Sequence, residues 1–168
     1  MDPVRLYAYL EKARDRLLDW IRPLDPAQYV REFPFGKRTL SATLAHIALS
    51  EWFYALRLTR KTPPPRSGWP LDEDRPPPFA ELEAVWLAQA RRTRAAIAGV
   101  EDWSRELEYT VRWDGTPVVI TVSPGDIFSQ LLIHEAHHRA QAMAMLRQLG
   151  VAAEDLDYNV LMYRRRDA

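Results

Sequence analysis

Residues 61–78 (KTPPPRSGWPLDEDRPPP) hold seven of the thirteen prolines in the chain. Proline lacks a backbone N–H and its ring fixes φ, so this stretch can be neither helix interior nor central strand and is semi-rigid and extended. Each flank carries only about two helix-length patterns, too little apolar surface for two separate cores. The stretch is therefore expected to be a long crossover inside one helical bundle, with residues 1–168 forming a single domain.

Four helices and one hairpin are expected around it. Asp2-Pro3 is a helix start, and Leu6, Leu10, Ala13, Leu17 and Ile21 follow at helical spacing, predicting a helix over about 3–21. Residues 22–38 have no strong period and read as a connection, with Tyr29, Phe33 and Phe35 folding back onto the core. A second helix is expected over about 39–60, with its apolar seam at Ala42, His46, Leu49, Phe53 and Leu56. The third, about 79–99, carries Leu82, Trp86, Gln89, Thr93, Ile97 and Val100 on one stripe and stops at Gly99. Alternating residues on either side of Asp114-Gly115 predict a β-hairpin over about 106–122. The last long helix, about 125–149, has its seam at Ile127, Leu131, His134, His138, Gln141 and Met145. In the tail, Leu156, Tyr158, Val160 and Leu161 are candidates for packing. The fold class is all-α, a four-helix bundle with long crossovers and a small hairpin before the last helix.

The chain has four histidines, three of them in the segment Ile133-His134-Glu135-Ala136-His137-His138-Arg139-Ala140-Gln141. Residues four apart on a helix lie about 40° apart around the axis, so His134 and His138 share a face. His46 falls on the seam of another helix. An unpaired polar group on a buried seam costs roughly 1–3 kcal/mol, and one divalent ion would satisfy three imidazoles together. Three neutral ligands leave an open coordination position, which suits catalysis better than a structural site. Two other readings stand beside this one. Each histidine could be a core residue bonded to a carbonyl or carboxylate. The same residues also spell His-Glu-x-x-His, in which Glu135 would be the general base of a metallopeptidase. That reading needs a third ligand downstream, where Glu154, Asp155 and Asp157 are the nearby carboxylates. His137 lies about 100° around from His138 and should face a flank or solvent, and Glu135 lies off the histidine face.

Composition narrows the chemistry. Cysteine is absent, which removes disulfides, thiolate nucleophiles and Cys-type zinc sites, so a metal must use imidazole and carboxylate. Lys+Arg and Asp+Glu are both 23, giving no electrostatic argument for nucleic acid, and Arg164-Arg165-Arg166 reads as a solvated tail. No apolar run approaches a membrane span and no signal peptide is visible, so a cytoplasmic protein is expected. Trp52, Tyr54 and Trp69 look exposed; such residues are more often packing residues than a ligand cage, and lining a mouth above the metal is the other reading.

Thr39-Leu-Ser-Ala-Thr-Leu-Ala-His46-Ile, followed by Leu-Leu-Ile-His134-Glu-Ala-His-His138-Arg-Ala-Gln141, resembles the DinB/YfiT-like metalloenzymes. The resemblance covers almost the whole chain. It implies an up-down-down-up bundle with a metal on His46, His134 and His138, and commonly a homodimer. Zinc or nickel are the ions it implies first, with iron, manganese or copper also compatible. It further implies a small-molecule substrate and either transfer of a low-molecular-weight thiol, such as bacillithiol or mycothiol, or hydrolysis. A non-catalytic, stress-related dimeric scaffold braced by metal is the alternative. Ala140 stands where many relatives have glycine, and Glu135 where small or polar residues are common.

Overall fold

A computed structural model describes residues 2–164 and Arg166. Among them are six helices and one two-stranded hairpin: α1 (Pro3–Ile21), α2 (Pro26–Tyr29), α3 (Leu40–Leu58), α4 (Phe79–Ala98), β1 (Leu107–Trp113), β2 (Thr116–Val122), α5 (Pro124–Gln148) and α6 (Tyr158–Met162). The helix starts follow from local chemistry. Asp2 accepts a hydrogen bond from the Arg5 amide, Thr39 accepts one from Ala42, and Ser123 with Asp126 forms a reciprocal capping box. Residues 59–78 form an irregular crossover with one short 3-10 turn at Arg66–Gly68.

The connection at 22–38 contains a helix that its weak period did not announce. Asp25 and Gln28 form a capping box around Pro26, enough to nucleate the single turn of α2. Tyr29 and Phe33 are buried, and Phe35 packs against the same core. In the hairpin, Asp114 and Gly115 both have positive φ (48° and 81°), the two-residue turn whose twist suits paired strands. Leu107, Tyr109 and Val111 face inward opposite Val122, Ile120 and Val118. The Arg57 guanidinium stacks 4.5 Å over the Tyr109 ring and ties the hairpin to α3.

Helix α3 packs against α4 and α5, and α1 packs against the same two. The resulting core has two apolar clusters. One gathers Leu17, Leu18, Leu44, Ile47, Trp86, Ala142 and Leu146; the other gathers Tyr7, Leu10, Tyr54, Leu58, Ile97, Ile127 and Leu131. Along every long helix, polar side chains lie between the two: Arg14 on α1, Glu51 on α3, Gln89 and Thr93 on α4, Glu135 and Arg139 on α5, all buried.

This polar layer corrects two of the expected seams. On α3 the buried face runs through Leu44, Ile47, Ala48, Glu51, Tyr54, Ala55 and Leu58, whereas Ala42, His46, Phe53 and Leu56 are only half-buried. On α5 it runs through Ile127, Leu131, Glu135, Arg139, Ala142 and Leu146, and His134, His138 and Gln141 lie on its edge. In both helices a charged residue occupies a core position that an apolar pattern would not assign to it. Trp52 and Tyr54 are also buried rather than exposed, and Trp69 packs edge-on to Phe53 at 4.9 Å. In the tail Leu156 is buried, Tyr158 and Leu161 are half-buried and Val160 is exposed; Arg165 lies outside the described residues.

Candidate metal centre

Because His46 lies on the edge of α3 and His134 and His138 on the edge of α5, the contact between these two helices brings the three rings together. Each can offer one ring nitrogen such that all three atoms lie within 4.8 Å of one another. Ring centroids are 4.5–4.8 Å apart, and His46 Nε2 lies 3.0 Å from His134 Nε2. Two imidazole nitrogens bound tetrahedrally to a divalent ion at 2.0–2.1 Å would be about 3.3 Å apart, so the His46–His134 pair is near that spacing.

On two of the rings the other nitrogen is held. His46 Nδ1 lies 2.8 Å from Glu73 Oε2, and a carboxylate only accepts, so Nδ1 carries the proton and Nε2 the lone pair. His138 Nδ1 lies 2.9 Å from Gln141 Oε1, which directs the His138 Nε2 lone pair inward in the same way. The Gln141 amide in turn donates to Nε2 of His137 at 2.9 Å. Burial first, and then the neighbouring His138 and His46, push the His134 imidazole down to about 4; burial also lowers His138. At neutral pH both rings are therefore uncharged, the form in which imidazole binds a metal.

The turn before α3 completes the surroundings. Gly36 has φ +58°, and a Cβ built there would lie 2.7 Å from Gln141 Oε1. A side chain here would be strained by the left-handed backbone and would have to push the Gln141 amide aside. Gly36→Ala is expected to destabilise the fold by about 1–2 kcal/mol, the cost of a left-handed backbone on a side-chain-bearing residue, and to displace Gln141 from His138. The midpoint of urea unfolding checks this, and an unchanged midpoint would contradict it. The next residue, Lys37, brings its Nζ to 4.0 Å from Glu73 Oε2.

Of the residues singled out in the sequence, His46, His134 and His138 converge. His137 is exposed, as its angle predicts. Glu135 is buried and turned away, with Oε2 2.7 Å from Arg14 Nη2. Glu154, Asp155 and Asp157 are exposed in the tail, outside the cluster. Sequence reasoning missed Glu73 and the positioning part of Gln141. Gln141 was visible one turn beyond His138, but Glu73 sits in an acidic, aperiodic stretch with no local signal.

The DinB superfamily model matches residues 9–142, most of the chain and all three histidines. The chain belongs to the DinB superfamily. No curated protein matches it. Membership agrees with the mostly helical architecture and the small hairpin of this DinB chain. No helix among its described residues is long and apolar enough to cross a membrane.

Proposed function

We propose that His46, His134 and His138 hold one divalent metal ion and that the protein is a metal-dependent DinB-type enzyme acting on a small molecule. The observation that carries this reading is the convergence of three imidazole nitrogens within 4.8 Å, with the far nitrogens of two rings already hydrogen-bonded. Three uncharged ligands from two helices leave the full charge of the ion and an open position, and zinc or nickel suit such a donor set, as do iron, manganese and copper. A bound ion would supply Lewis acidity. The chain itself supplies the ligands, their orientation through Glu73 and Gln141, and the Tyr54 ring, edge-on 5.9 Å from His134. Transfer of a low-molecular-weight thiol is the reaction class we favour, on the family resemblance alone; hydrolysis comes second.

The bundle follows the same reading. Helices α1 and α3 each contact α4 and α5, a closed ring of four, and the long crossover joins α3 to its neighbour α4. Parallel neighbours need such a crossover, which supports the up-down-down-up order and a single domain over 1–168. The family resemblance extends the proposal to a homodimer, and a cytoplasmic setting is proposed beside it. A metallopeptidase is disfavoured by the burial of Glu135 against Arg14. The bracing scaffold is disfavoured because a buried charge layer already locks α1, α3 and α5.

Tag-free protein should carry near-stoichiometric metal, and its chelated form should lose thiol-dependent turnover of electrophilic substrates while unfolding within a few degrees of the loaded form. A collapse of thermal stability on chelation, with no turnover in either state, would instead establish the scaffold.

A further inference from the structure

Glu73 does not come from either ligand-bearing helix. It is delivered by the proline-rich crossover, which is pinned on both sides of it. Leu71 is buried in the core, and Trp69 packs edge-on to Phe53 while its indole N–H donates to the Pro64 carbonyl at 3.1 Å. The Arg66 guanidinium pairs with Asp72 at 2.9 Å and with Asp74, drawing in the residues on either side of Glu73. Prolines reduce the freedom an unfolded crossover would otherwise have. A flexible loop would have to order itself each time His46 met a metal; this one is folded onto the site beforehand. Glu73 is not among the donors of the three-histidine cluster, and its hydrogen bond is to the ring nitrogen that His46 does not turn toward His134.

We propose that Glu73 is a positioning residue for the metal centre. By accepting the Nδ1 proton of His46 it fixes the tautomer and ring plane that present Nε2 to the ion. The crossover is thus part of the site and not merely a connection between helices. This rests on the three-histidine reading. Carboxylates in this position orient a ligating imidazole and raise its basicity, and their loss typically weakens metal binding about 10–100-fold.

The test is titration of Zn²⁺ into the metal-free full chain, with Glu73→Ala, Glu73→Asp and His46→Ala beside the wild type. Nitrogen-15 NMR of the His46 ring in the metal-free protein is the second readout. Glu73→Ala should weaken Zn²⁺ binding about 10–100-fold and shift the ring away from the Nδ1–H tautomer, and Glu73→Asp should recover part of both. A purely structural role would not move the tautomer signal. Wild-type affinity in Glu73→Ala with an unchanged ring, while His46→Ala loses the ion, would overturn this inference alone. Wild-type affinity in His46→Ala would overturn the three-histidine reading itself. Glu73 is partly exposed and its removal leaves the core intact, so the variants should fold.

Discussion

His46→Ala and His138→Ala, each purified without a tag, are expected to lose essentially all bound metal. Removing a carboxylate behind a ligating histidine already weakens binding about 10–100-fold, so removing the ligand itself should cost at least about 100-fold. His46 is the more telling variant because it lies on α3, away from the His134/His138 pair. A helix-local site on α5 would keep its ion when His46 is cut back. A site shared between helices would not. His137→Ala is the internal control. Its ring only accepts a hydrogen bond from Gln141, so metal content should fall little, if at all. Elemental analysis of dialysed protein reads all three, and full retention of metal in His46→Ala would remove the site as drawn.

The pieces of this site were unequally legible. His134 and His138 announced themselves by four-residue spacing, and His46 by its place on a helical pattern. That pattern was nevertheless displaced from the true core face. The spacing Leu131, Glu135, Arg139, Ala142 is as helical as Leu131, His134, His138, Gln141, and apolarity alone cannot choose between them. What decides is the buried counter-charge on α1 and α3, a contact between residues far apart in the chain. The main helices and the hairpin were plain because caps, prolines and the Asp-Gly turn are local signals. Helix α2 rested on a capping box too short to show a period, and α6 on docking against α1. Glu73 was hidden because an irregular crossover has no periodicity from which a facing residue can be read.

Arg14→Met is expected to be among the most destabilising single changes in the molecule. Arg14 is 1% exposed, and its Nη2 lies 2.7 Å from Oε2 of both Glu51 and Glu135. Glu51 Oε2 also accepts from the Trp86 indole at 2.7 Å, and Arg14 stacks 4.5 Å from that ring. Arg139 closes the layer, 3.8 Å from Glu135 Oε1 and donating to the Tyr9 hydroxyl at 2.7 Å. Two cations and two carboxylates balance. Burial works against the Arg14 charge, but Glu135 and Glu51 hold its guanidinium well above the ordinary range; burial pushes the Glu135 carboxyl up, with Arg14 opposing it. Methionine keeps much of the volume and leaves two buried carboxylates with Arg139 alone as counter-ion, 3.8 Å from Glu135 and not among the ion-pair partners of Glu51. Breaking a buried pair from one side costs about 3–5 kcal/mol, which at about 2–4 °C per kcal/mol is roughly 6–20 °C in Tm. Replacing Glu135 by leucine in the same protein should return part of that loss, with a coupling of about 0.5–3 kcal/mol. Urea unfolding of the four proteins in this cycle measures it, and a loss below about 1 kcal/mol in Arg14→Met would mean the layer is not holding the helices. The consequence reaches the proposed metal centre. Glu135 and Arg139 face the layer while His134 and His138, one position before each, face α3's edge. The charge layer therefore sets the rotation of α5 about its own axis, and with it whether the two histidines meet His46. Arg14→Met should accordingly weaken Zn²⁺ binding without touching any ligand, whereas apolar cavities made elsewhere in the core at equal loss of stability should not.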